Sequence, residues 1–129
     1  MGVTHANLTL SNPVHRELEP IVTKALAGTG AMHLCIPEHI AIQLELAEQE
    51  KREVTLADGS KRLTPYVGPI EVKFGNRRCF VGAMVMGDEV LLGAIPMEDT
   101  DLVVRPMSRE VSVNPISPNV PTSMAKGFR

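Results

Sequence analysis

Along much of the chain, apolar residues stand at every second position, the period of a strand with one buried face. Ala6, Leu8 and Leu10 alternate with polar neighbours. Asn12-Pro13 closes that strand, because proline cannot donate to a ladder and restricts the residue before it. A second strand is predicted over Ile21 to Ala27, running into the small-residue turn Gly28-Thr29-Gly30. Met32, Leu34 and Ile36 restore the alternation and give a third. Pro37 suits a first helical position and Glu38 complements the positive end of a helix dipole. With Ile40, Ala41 and Leu44 as an apolar face, one short helix is predicted over about 37 to 46.

The clearest hairpin follows. Val54 and Leu56 lead to Asp58-Gly59, a dipeptide favoured by type I′ turns. The return arm runs from Lys61 to Val67, where Pro65 demotes it to an edge strand. Ile70, Val72 and Phe74 form a further strand, and Gly75-Asn76 turns the chain into a long apolar one from Cys79 to Met86. After a turn at Gly87-Asp88, Val90 to Leu92 leads to Gly93-Ala94 and a short helical turn near Pro96 to Asp99. Leu102 to Val104 and Val111 to Val113 read as closing strands. Pro115, Pro118 and Pro121 make the tail after Asn114 extended or mobile rather than packed. The sum is roughly eight or nine short strands with turns between them, an all-β pattern. A weak two-fold echo also runs through it. A strand entering a small-residue loop, then another apolar element, occurs at Ala25 to Leu34 and again at Val90 to Val104.

Composition narrows the function. The 129 residues fit one domain, with 43% hydrophobic and 22% charged residues in ordinary globular proportion. Only 3% are aromatic, so the core must be aliphatic. A net charge of -2 argues against a nucleic-acid partner, and Lys73, Arg77 and Arg78 read as a solvated hairpin tip. No apolar run reaches the roughly 18 residues of a membrane helix, and no secretory signal is visible, so the expected compartment is the cytoplasm. Cys35 and Cys79 are expected as buried free thiols.

Ala25-Leu26-Ala27-Gly28-Thr29-Gly30-Ala31 resembles the active-site loop of retropepsin-like aspartic proteases. In that family two or three apolar residues precede Asp-Thr-Gly or Asp-Ser-Gly and then Ala. Every position fits here except the catalytic one, which is Gly28. Leu34 to Pro37 resembles the strand after the motif, and the Asp58-Gly59 hairpin falls where the family has its flap. Val90 to Ala94 resembles the second signature, two apolar residues and a glycine. The likeness spans about residues 4 to 115, leaving 116 to 129 as a tail.

The resemblance implies an acid-protease barrel with one short helix, completed as a homodimer. Each family subunit offers one aspartate, and the pair shares a proton, so one carboxylate acts as base on water while the other protonates the carbonyl. It implies catalytic-loop roles for the positions of Gly28, Thr29 and Gly30. It implies substrate contacts from Ala31, from the flap residues Ala57, Asp58, Gly59 and Ser60, and from Leu92 and Gly93. The substrate would be an extended peptide lying as an added strand, with no metal or cofactor. Gly28 supplies neither acid nor base, and Asp58, Asp88, Asp99 and Asp101 stand in the wrong elements to replace one. Replacement of an original aspartate and natural loss both remain open. So do two functions: an aspartic endopeptidase, inactive as written, or a non-enzymatic peptide-binding or assembly module on the same fold.

Other readings carry less. A dinucleotide-binding G-x-G-x-x-G would need glycine where His33 stands and a helix where a strand is predicted. His33, Cys35 and His39 match no closed zinc spacing. Methionines such as Met84, Met86 and Met97 are expected to fill gaps in the aliphatic core. Glu45, Glu48 and Glu50 read as a solvated surface.

Overall fold

The computed structural model describes residues 3–28, 30–105 and 107–124. Thr29 lies outside the described residues. The elements run β1 (Thr4–Ser11), β2 (Ile21–Ala27), β3 (Leu34–Ile36), α1 (Glu38–Gln43), β4 (Glu48–Thr55) and β5 (Lys61–Phe74). They continue with β6 (Arg77–Val85), β7 (Val90–Leu92), α2 (Ala94–Asp99), β8 (Leu102–Arg105) and β9 (Glu110–Val113). The main sheet has the order β1-β2-β7-β3-β6-β5-β4, and a further β1–β5 pairing closes six of these strands into a barrel. The expected all-β barrel is thus present. Strand β4 stays outside it, paired only with β5. No helix among the described residues is long and apolar enough to cross a membrane.

Alternation drives the closure. Ala6, Leu8 and Leu10 of β1 point inward, as do Leu34 and Ile36 of β3, Val72 of β5, and Val90 and Leu92 of β7. Ile40, Ala41 and Leu44 bring α1 onto the same core, and Met97 brings α2. That cluster is aliphatic, with Phe74 packed at its margin. Where several dozen apolar contacts replace aromatic ones, dispersion and burial of CH₂ groups do the same work.

The two-fold echo is literal in the sheet. Strands β2 and β7 run parallel with Ala25 opposite Val90, Leu26 opposite Leu91 and Ala27 opposite Leu92. The next residue of each strand is a glycine, Gly28 and Gly93. Strands β3 and β6 form the other parallel pair.

Several expectations change. Pro37 is the N-cap of α1 rather than its first residue, and Met32 is exposed outside β3. The helical turn expected near Pro96 to Asp99 is a six-residue helix, α2, which starts at Ala94. The arms predicted at 61–67 and 70–74 are one 14-residue strand, β5, with a register shift between Val67 and Ile70. Pro65 pairs with Lys51 beyond the first β5–β6 pair at Tyr66, so the strand has one neighbour there and the missing N–H leaves no gap. The Asp58-Gly59 turn is not type I′. Only Gly59 has a positive φ, at 87°, and its N–H donates to Leu56 O at 2.9 Å, the pattern of a type I turn followed by a glycine bulge.

Arg77 flanks the hairpin turn but is not solvated: its side chain is fully buried and donates to Ser117 O. Lys73 and Arg78 are exposed as expected. The tail after Asn114 is described to residue 124, and residues 125–129 lie outside the described residues. Its residues are largely exposed, but Asp101 accepts bonds from the Asn114 side chain (3.1 Å), the Ser117 hydroxyl and the Thr122 N–H (2.9 Å). Asn76 Nδ2 donates to Pro118 O at 3.0 Å. The chain to Thr122 is strapped to the barrel.

Candidate functional site

Gly28 follows β2 and donates its N–H to Leu92 O at 3.2 Å, so the loop hangs from the parallel β2–β7 pair. A cleft of about 400 Å³ opens over it, lined by Leu26, Ala27, Gly28, Gly30, Ala31 and Leu91 with Val3 and Thr4. None of those side chains ionises. A Cβ built at Gly28 meets nothing within 4 Å, and the same holds at Gly30. Gly28 therefore has room for a side chain that it lacks.

Gly93 has no such room. A Cβ there would stand 2.3 Å from His33 O and 2.8 Å from Ala31 O. The missing side chain lets the start of α2 dock on the Gly28 loop, where the Ala94 N–H donates to Ala31 O at 2.9 Å and the Ile95 N–H to Met32 O at 2.8 Å. Leu92 is buried in the core beneath. Gly28, Gly30, Ala31, Leu92 and Gly93 are thus brought together at one end of the barrel.

The β4–β5 ribbon overhangs this end. Between them lies a groove of about 530 Å³, walled by Arg52, Glu53, Val54 and Thr55 of the ribbon and by Gly30 to His33 of the loop. Its floor is Cys35, Met84, Met86 and Leu91. The ribbon tip behaves differently. Ala57, Asp58, Gly59 and Ser60 are all exposed and line none of the cavities described. Asp58 accepts the Ser60 hydroxyl at 2.6 Å and the Ser60 N–H at 2.9 Å. These bonds, the hydroxyl first, hold its carboxyl below the usual range.

Arg52 and Tyr66, which the sequence reading passed over, connect ribbon and barrel together with His33, which it weighed only for other roles. The Arg52 guanidinium lies 3.7 Å from the centre of the Tyr66 ring, and Arg52 Nε bonds Glu50 at 2.6 Å. Tyr66 packs so closely on Gly82 that a Cβ there would stand 2.1 Å from the ring. His33 meets the Tyr66 ring edge-on at 5.9 Å. Burial, then the nearby Arg52 charge, lowers the His33 pKa and favours the neutral imidazole. The available signal was the period-2 placement of Arg52 with Val54, facing away from Glu53.

Among the described residues no Asp or Glu side chain lines the cleft over Gly28. Glu53 lines the groove but is exposed and faces Lys61 at 3.7 Å. Asp101 is held down to about 2 by the Ser117 hydroxyl, the Thr122 N–H and Asn114, so it is a fixed anion under the strap. Asp88 and Asp99 are exposed and line neither the cleft nor the groove. Among the described residues no three His, Cys, Asp or Glu side chains gather as a metal set. His39 is exposed on α1, away from His33 and Cys35. Glu45, Glu48 and Glu50 are exposed as expected.

No family model and no curated protein matches the sequence. Solved structures do match the fold. The retroviral protease-like domain of Ddi1 from Leishmania major aligns with a TM-score of 0.56 at 13% identity, over 98% of this chain and 100% of that one. A retropepsin-like aspartic protease from Rickettsia conorii aligns at 14% identity over 72% of this chain and 80% of that one, with a TM-score of 0.39. The barrel is a retropepsin-like fold.

Proposed function

We propose that this chain binds extended polypeptide in the groove between the β4–β5 ribbon and the Gly28 loop, and that it does so without hydrolysing it. The observation that carries this reading is the pairing of an open, apolar-floored groove with a cleft that holds no ionisable side chain among the described residues. The wall formed by β4 is an edge strand. An added peptide strand can take its main-chain bonds from such an edge and place alternate side chains on the floor.

The reading includes a second copy of the chain. One loop of this kind offers half a site, and a symmetric pair would join the two half-grooves. The exposed Val3 beside the Gly28 cleft and the exposed Met32 on the loop favour that face for the contact. Sedimentation velocity at micromolar concentration should report a dimer, and a stable monomer would remove this part.

The endopeptidase reading keeps one observation in its favour. A Cβ at Gly28 would meet no described residue within 4 Å beyond its chain neighbours, which leaves room at that position for a side chain to begin. Fluorescence anisotropy tests the binding reading. A labelled extended apolar peptide should bind the chain and remain intact, and Val54→Asp, which puts a charge on the groove wall, should weaken it about ten-fold or more. Equal binding by both proteins would place the peptide elsewhere.

A further inference from the structure

The floor of the groove is chemically unusual. In β3 the inward residues Leu34 and Ile36 join the core, while Cys35 between them points the other way. In β6 the same holds for Ala83 and Val85 against Met84. Cys35 and Met84 are both buried, at 8% and 3% exposure, yet neither belongs to the core cluster. They are direct cross-strand partners in the parallel β3–β6 ladder, which places their side chains on one face about 5 Å apart at the Cβ atoms. Met86 follows on the same face, with its N–H bonded to Ile36 O at 3.0 Å. Met32 stands at the groove's rim. Met97 joins the main core cluster as expected; Met84 is buried outside that cluster, and Met86 and Met32 line the groove.

We propose that the groove floor is a site for one soft monovalent metal ion, of the Cu(I) class, held by Cys35 Sγ and the thioethers of Met84 and Met86. Thiolate and thioether sulfur select Cu(I) over harder ions, and two or three such ligands suffice for it. A zinc site would need four nitrogen, oxygen or thiolate donors, and no three His, Cys, Asp or Glu gather here among the described residues. Binding replaces the Cys35 S–H bond with a sulfur–metal bond and releases one proton to solvent. The only hydrogen bond given up is the weak one from Cys35 Sγ to His33 O at 3.9 Å. Cys79, the other free thiol, lies in the core on the opposite face and has no thioether beside it in the ladder, where Val72 is its partner. The proposal stands on this sulfur cluster and does not rest on peptide binding.

An anaerobic titration of the full chain with Cu(I) buffered by bicinchoninate tests it. One equivalent should leave the chelator. Met84→Leu/Met86→Leu and Cys35→Ser should each weaken binding at least ten-fold, whereas Cys79→Ser should not, and Zn(II) should not compete. Should the double variant or Cys35→Ser fold poorly, Met86→Leu alone, at a half-buried position, should still weaken binding several-fold. No copper withdrawn, full affinity in the methionine variants, or a stoichiometry that follows Cys79 would overturn the assignment.

Discussion

Gly28 and Gly93 occupy equivalent places, each one residue past the paired strands β2 and β7. Their surroundings are opposite. At Gly93 the backbone of residues 31 to 33 fills the space a Cβ would need. At Gly28 a Cβ would meet no described residue within 4 Å beyond its chain neighbours, and the residue is not in the left-handed region that would demand glycine. Gly93 is therefore a packing requirement of the fold. Gly28 is not one, because a Cβ there would meet no described residue beyond its chain neighbours.

Substitution at the two positions should separate these roles. Gly93→Ala must push α2 off the Gly28 loop against backbone atoms that cannot rotate away, which costs roughly 3 kcal/mol. Thermal unfolding should fall by roughly 10 °C. An unchanged midpoint would mean that the α2 contact is soft and that the comparison fails.

A second region sharpens the point about charge. Glu71, 1% exposed, accepts Ser11 Oγ at 2.9 Å and Arg16 NH1 at 2.5 Å, and faces Arg78 NH1 at 3.3 Å. Burial alone would raise its pKa, yet the Arg16 and Ser11 bonds and the two arginine charges outweigh it and hold the carboxyl below its ordinary value. A depressed folded-state pKa stabilises above the unfolded value, 4.5, and that stability is lost as pH falls through the folded value. Glu71→Gln should cost roughly 2 kcal/mol at neutral pH, and the gap between variant and parent should close in urea melts taken below the unfolded value. A gap that widened on acidification would reverse the assigned sign.

Smaller effects belong to the ribbon. Removing the Arg52 guanidinium from Tyr66 loses a stack at the surface of the ribbon. Arg52→Ala should speed amide exchange in β4 a few-fold while β6 keeps its protection. Equal change in both strands would show that the stack supports the whole barrel. At the far end of the scale, Gly28→Ala should leave stability unchanged or raise it by up to about 1 kcal/mol, because the unfolded chain loses freedom and the folded one meets no clash.

Much of this was legible in the chain. The alternation of Ala6, Leu8 and Leu10 and the apolar run into Gly28 placed strands whose boundaries the structure keeps within a residue or two. Periodicity succeeds there because one face of each strand is buried. It could not show that 61–67 and 70–74 form one strand, since Gly68-Pro69 reads locally as a break and only pairing with β6 carries the chain across it. Nor could it show that Arg77 is buried, because its partner Ser117 is 40 residues away. The face chosen by Met84 and Met86 was equally hidden: alternation predicts two faces but not which one meets the core. The identity of position 28 was plain from the sequence, whereas the open space around it is a property of the folded loop alone.

The central proposal is that this chain, with glycine at position 28, binds extended peptide without cutting it. Peptidase activity of this chain beside its Gly28→Asp variant, on one extended apolar peptide across acidic to neutral pH, tests it most directly. The account predicts no turnover by the glycine chain and measurable cleavage by the aspartate form, a difference of several orders of magnitude. Cleavage by the glycine chain, inhibited by an aspartic-protease transition-state analogue, would place the catalytic group elsewhere and contradict it.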